Sequence, residues 1–174
     1  MATPTSLLKR PLDLVYFIYF FTHIPVTLAI DFQVFYPPHL VPQALKDALV
    51  MYIRDYKDPF MGANPPLFWF MSFMYSELFF QFIFFFIACF GLWKDSLRCR
   101  IGLCIYGSHV ATTVLASLFE VLLNPAHALT STERYTLSAF YFPYFIIPVV
   151  MVIDSYFKLS ALVTKVTGQL KKVD

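Results

Sequence analysis

Charge is scarce in this sequence, and that scarcity excludes more than any motif does. Only 14% of the 174 residues are charged, against about 25% in an ordinary soluble domain. With 59% apolar and 20% aromatic residues, the chain needs a solvent other than water. Glycine is rare at 5 while phenylalanine reaches 21, which argues against low-complexity disorder. The net charge of +2 and the lack of a basic, stacking-interleaved stripe argue against nucleic-acid binding. Cysteine is limited to Cys89, Cys99 and Cys104, with no CxxC pair and no even framework, so neither a structural disulfide nor a cysteine metal site is expected. No His pair stands at i,i+4, and no Ser-His-Asp order, Gly-rich phosphate loop or zincin motif is found. No metal and no cofactor are expected.

What the chain has is long apolar runs. A spanning helix needs about 20 mostly apolar residues. Four stretches qualify, at about 11–35, 66–93, 101–123 and 135–157. Period-2 segments of barrel type are missing. The first run, preceded by Lys9 and Arg10, is too long for a signal peptide and ends in Ile30-Asp31-Phe32 rather than small residues. The fold class is therefore all-α: a polytopic four-transmembrane-helix bundle forming one domain, with a basic tail over 158–174.

Lys and Arg placement sets the expected orientation. Nine lie on one side: Lys9, Arg10, Lys94, Arg98, Arg100, Lys158, Lys165, Lys171 and Lys172. Four lie on the other: Lys46, Arg54, Lys57 and Arg134. Both termini are expected in the cytosol. Lys171-Lys172 then match a dilysine retrieval signal, which points to the endoplasmic reticulum. The segment Gln43 to Tyr56 carries Ala44, Leu45, Ala48, Leu49, Tyr52 and Ile53 at helical spacing, so a short amphipathic lumenal helix is expected there. Pro37, Pro38 and Pro42 precede it and Pro59 follows.

Ionisable groups inside spans are costly and functional by default. Asp154 has Lys158 one turn on, an i,i+4 pair at the interface. Glu120 lies near a helix end and reaches water. Glu77 differs: it sits about 11 residues into its span, roughly 15 Å deep at 1.5 Å per residue. No Lys or Arg lies inside a neighbouring span to pair with it, so it is expected to carry its proton. Asp31 is the natural partner. Two carboxyls sharing a proton form a unit of net charge −1 that can neutralise a cationic ligand or hold a proton. Straight helices leave Asp31 nearer the surface than Glu77, so a kink at Pro25 or a tilted span is expected to close the gap. His23 and Thr27, and His109 and Thr113, are each one turn apart and fit a polar lining. Tyr141, Pro143, Tyr144 and Pro148 are expected to break the last helix beside a cavity.

Several runs resemble a known family. Thr22-His23-Ile24-Pro25-Val26-Thr27 with Asp31 looks like the first span of the sigma-2 receptor family. That family belongs to the wider EXPERA group, which includes the emopamil-binding sterol isomerase. Tyr56-Lys57-Asp58-Pro59, Ser76-Glu77-Leu78 with Gln81, Ile105-Tyr106 with His109, Thr112 and Thr113, and Tyr141-Phe142-Pro143-Tyr144 continue the resemblance in order along nearly the whole chain. It implies an endoplasmic reticulum membrane protein that binds sterols and cationic amphiphilic amines in a pocket opening to the bilayer, and that often forms homodimers. Asp31 would pair with the ligand amine and Glu77 would hold Asp31. His23, Tyr52, Gln81, Tyr106, Thr113, Tyr141 and Tyr144 would line the pocket. Asp58 reads as structural, because Asp-Pro at a helix stop favours a turn.

Three functions follow as expectations. The first is a non-catalytic sterol, lipid or amine binder acting in sterol homeostasis or trafficking. The second is a sterol double-bond isomerase with Glu77 as acid and His109 as proton acceptor, since aromatic faces and a carboxylate stabilise a carbocation. The third is an adaptor at the endoplasmic reticulum surface, in keeping with the resemblance to fungal relatives linked to mitochondrial precursor delivery.

Overall fold

The structure is a computed structural model that describes residues 5–170. The retrieval lysines Lys171 and Lys172 lie outside the described residues. Among the described residues six α-helices make the fold: α1 (Pro11–Ala29), α2 (Gln43–Tyr56), α3 (Phe68–Ser76), α4 (Phe82–Trp93), α5 (Cys99–Leu123) and α6 (Ser131–Leu170). No strand occurs among the described residues. Four helical stretches are long and apolar enough to cross a bilayer: Pro11–Phe35, Phe68–Trp93, Cys99–Leu123 and Ser131–Leu170. This is a membrane protein with four spanning helices. Large side chains such as Phe79, Phe80, Phe90 and Phe157 stay exposed on the outside of the bundle, as lipid-facing positions do.

Each helix has a local cause. Proline at the first position starts α1, where a missing N–H costs nothing. The half-buried residues of α2 are Leu45, Lys46, Ala48, Leu49, Tyr52, Ile53 and Tyr56; five of the six positions that the spacing predicted are among them, and Ala44 is exposed. Pro143 and Pro148 do not break the last helix. α6 runs unbroken for 40 residues, past the expected end at 157. Beside Pro148, at Gly107 of α5, an added Cβ would stand 2.7 Å from the Pro148 carbonyl oxygen. The missing side chain lets α5 approach α6 closely there, as small residues do between membrane helices.

Two apolar clusters hold the bundle. The larger joins Tyr16, Tyr19 and Phe20 of α1 to Phe85, Ala88 and Leu92 of α4, Leu103, Tyr106 and Val110 of α5, and Met151 of α6. The smaller, of Phe60, Val121 and Leu137, sits at the α2 end. The opposite end, where α1 begins, carries an ion-pair network that the sequence did not reveal. Asp13 is 1% exposed. Its two oxygens accept from Arg100 Nη2, each at 2.6 Å. Arg10 bonds to Asp13 as well and also reaches the Leu92 carbonyl at 2.7 Å. The expected Asp154–Lys158 pair is present at 2.9 Å, but Arg100 also reaches Asp154 at 3.2 Å. The cysteines are all unpaired thiols.

Candidate functional site

α3 and α4 are one membrane crossing joined by a wider turn. Over Glu77–Gln81 the backbone is π-helical, and the Phe82 N–H bonds to the Glu77 carbonyl five residues back. Such single-turn bulges shift the face a helix presents and gather at functional sites. This one aims Glu77 and Gln81 into the bundle. α1 meets it from the other side. It continues through Pro25 and ends at Ala29, where a 3₁₀ turn begins at Asp31 and runs to Phe35. Gln33 Nε2 donates to the Ala29 carbonyl at 2.7 Å and to the Leu45 carbonyl at 3.0 Å. The helix end is thus satisfied inside the protein and tied to α2, as a break at membrane depth requires.

These two irregular segments bring the acids together. Asp31, Glu77 and His23 each offer a polar atom within 4.8 Å of the other two. The helix remains continuous at Pro25, the residue expected to kink it. The hydrogen bond that Glu77 receives comes from Thr27 Oγ1, at 2.9 Å, so a hydroxyl on α1 orients the carboxyl across the gap.

Around the acids lies a cavity of ≈ 390 Å³, in the range that suits a drug-sized or lipid-sized ligand. All nine expected lining residues surround it: Asp31, Glu77, His23, Gln81, Tyr52, Tyr106, Thr113, Tyr141 and Tyr144. None of its lining residues is a Lys or an Arg. The sequence reading missed Tyr19, whose hydroxyl lies 3.0 Å from that of Tyr106, and Ser117 and Met74, which also line it. The available signals were the i,i+4 relations of Tyr19 to His23 and of Ser117 to Thr113, and the i,i+3 relation of Met74 to Glu77. The His23 ring is held by aromatic neighbours, stacked on Phe85 at 5.0 Å and edge-on to Tyr19 at 5.0 Å. Its Nδ1 is buried without a partner.

His109 stands elsewhere. It is not among the lining residues, and its Nε2 lies 2.7 Å from the Ser76 hydroxyl. The proton acceptor named for an isomerase is therefore engaged in holding α3 to α5. Asp58 lies behind the cavity wall near α2, bonded to two residues that line it, Tyr52 and Tyr141. It is 2% exposed and accepts from the hydroxyls of Tyr52 at 2.8 Å and Tyr141 at 2.7 Å. It also accepts from the backbone N–H groups of Phe60 at 2.8 Å and Met61 at 3.0 Å. Burial, with the Asp58 carboxylate beside it, holds the Tyr52 phenol well above its ordinary pKa. Tyr52 thus remains a donor, and α2 is fixed as a cap. Lys57 to Glu133, at 2.5 Å, ties the same corner to α6. Glu120 lies outside the lining and accepts from Asn124 at 2.6 Å, with His127 Nε2 at 2.9 Å from it.

The EXPERA family profile, described as the expanded EBP superfamily, matches residues 44–155. The chain belongs to the EXPERA family. It is similar to the Xenopus tropicalis protein named sigma intracellular receptor 2, with 39% identity over 85% of this chain and 90% of that protein. The Homo sapiens protein of the same name is 34% identical over 88% of this chain and 90% of its own length. A Schizosaccharomyces pombe protein named efficient mitochondria targeting-associated protein 19 is 31% identical over 87% of this chain and 77% of that protein. The EXPERA match begins at residue 44, so it takes in Glu77 and most of the cavity wall but not Asp31 or His23. Those two lie within the span α1 and its 3₁₀ extension.

Proposed function

We propose that this EXPERA protein is a non-catalytic binder of sterols and cationic amphiphilic lipids or amines, acting in endoplasmic reticulum membrane sterol homeostasis. One observation carries the reading: Asp31 and Glu77 face each other inside an aromatic cavity whose lining includes no cation. Burying such acids unpaired is costly. A ligand ammonium would supply the missing charge, and Tyr19, Tyr106 and Tyr144 offer π faces for it. The remaining lining, with Val26, Ile30, Phe70, Phe73 and Val114 among it, suits an apolar ligand body. The relatives named sigma intracellular receptor 2 support the same class. The excess of Lys and Arg on the terminal side supports cytosolic termini.

The test is equilibrium binding of a labelled hydrophobic amine to detergent-purified protein, with a labelled sterol measured alongside. Saturable amine binding that Asp31→Asn abolishes supports the assignment. Equal binding by wild type and variant would place the amine elsewhere.

A further inference from the structure

His23, Asp31 and Glu77 are far apart in sequence, and no local spacing marks them as metal ligands. The fold nevertheless collects one imidazole and two carboxyls within 4.8 Å of one another. We propose that this trio is a binding site for a divalent transition cation of the zinc type, an occupant distinct from the organic ligand and exclusive with it.

Four features support a metal. Charge is the first: two carboxylates balance a divalent ion, which leaves no net charge in an apolar cavity. Donor chemistry is the second. One nitrogen and two carboxyl oxygens suit zinc-like ions, with the fourth position open to the cavity, whereas calcium takes six to eight oxygens. The third is the buried His23 Nδ1, which has no partner in the protein. An unpaired buried imidazole nitrogen is costly, and coordination of the ring to an ion offers it a role. The fourth is the support around the trio. Thr27 Oγ1 orients Glu77 at 2.9 Å, and the stacked Phe85 and edge-on Tyr19 fix the imidazole plane. Ordered outer partners of this kind preset metal ligands. A tetrahedral ion with bonds of about 2.1 Å sets its donors about 3.4 Å apart. The donors already lie within 4.8 Å of one another, and small changes in the Asp31 and Glu77 side-chain torsions bring them to that spacing.

The inference concerns a different ligand from the one proposed above, and the two can fail separately. The experiment uses the full chain, purified in detergent and stripped with a chelator. Cobalt(II) is titrated as a visible probe, zinc is titrated by calorimetry, and labelled amine binding is measured with and without zinc. One cobalt per chain with the strong visible bands of a four-coordinate ion is expected, displaced by zinc. Zinc is expected to compete with the amine in the wild type, a readout that needs no variant. His23→Phe, Asp31→Asn and Glu77→Gln should each weaken metal binding at least tenfold. Sub-stoichiometric cobalt without those bands would overturn the proposal. So would zinc uptake that leaves amine binding unaffected, or uptake lost in His127→Ala instead, which would assign the ion to the Glu120–His127 pair. If the amine binds and the metal does not, only the metal inference falls. If the metal binds and no amine does, the amine reading falls.

Discussion

The terminal end of the bundle and the cavity both bury acids, and they solve the problem differently. At the terminal end Asp13 is enclosed by Arg10, Arg100 and Lys158, with Asp154 sharing two of those cations. In the cavity Asp31 and Glu77 have each other, His23 and Thr27, with no lysine or arginine in the lining. A buried carboxylate with its cations supplied by the chain is a structural element, and removing one partner leaves a stranded charge. A buried acid pair without a cation is an incomplete arrangement that a ligand can finish. The contrast separates fold from function more clearly than exposure does, since Asp13 is the least exposed of the three.

Substitutions can break or sharpen this contrast. The largest effect on stability is expected from Arg100→Met, which removes the guanidinium that both Asp13 oxygens accept from and leaves Arg10 and Lys158. It should cost up to about 3 kcal/mol, read as a lower unfolding temperature in detergent, and Asp13→Asn in the same chain should recover part of it. Full stability of the single variant would erase the distinction. Asp31→Asn should do the reverse: thermal stability holds or rises, while amine affinity drops by about 2–5 kcal/mol, as for truncating one side of a buried charge pair. Asp58→Ala removes the acceptor of two tyrosine hydroxyls and two backbone N–H groups. A loss of about 1–3 kcal/mol is expected, with proteolysis at the α2 corner as a second readout. The smallest effect belongs to Ser76→Ala, which cuts the Ser76–His109 bond. Hydrogen bonds between membrane helices average about 0.6 kcal/mol, so unfolding should shift only slightly.

Much of the cavity was legible beforehand. Glu77 stood out because a charge in the middle of a Phe-rich run has few innocent explanations. The tyrosines and Gln81 were found through family resemblance, which already encodes three-dimensional neighbourhood. The Asp13–Arg100 pair was not legible. The two residues are 87 positions apart, and each looks like an ordinary charge at a helix end. His109 was given to the site on its helical spacing with Thr113, but that spacing does not say which side of α5 meets the cavity. The reading of Pro143 and Pro148 as helix breaks failed because local propensity does not include the packing of α6 against its neighbours.

The sequence by itself determined that this chain lives in a membrane, that it crosses four times, and that α2 is amphipathic. Composition and periodicity decide those features, because lipid admits only apolar helical spans. The tertiary structure alone decided how two acids at apparently different depths meet. The π turn at Glu77 and the early end of α1 before Asp31 do it, each a departure from regular helix geometry. Such departures persist because neighbouring side chains satisfy the freed backbone, as Gln33 does for Ala29, and that depends on what the folded neighbours place within reach.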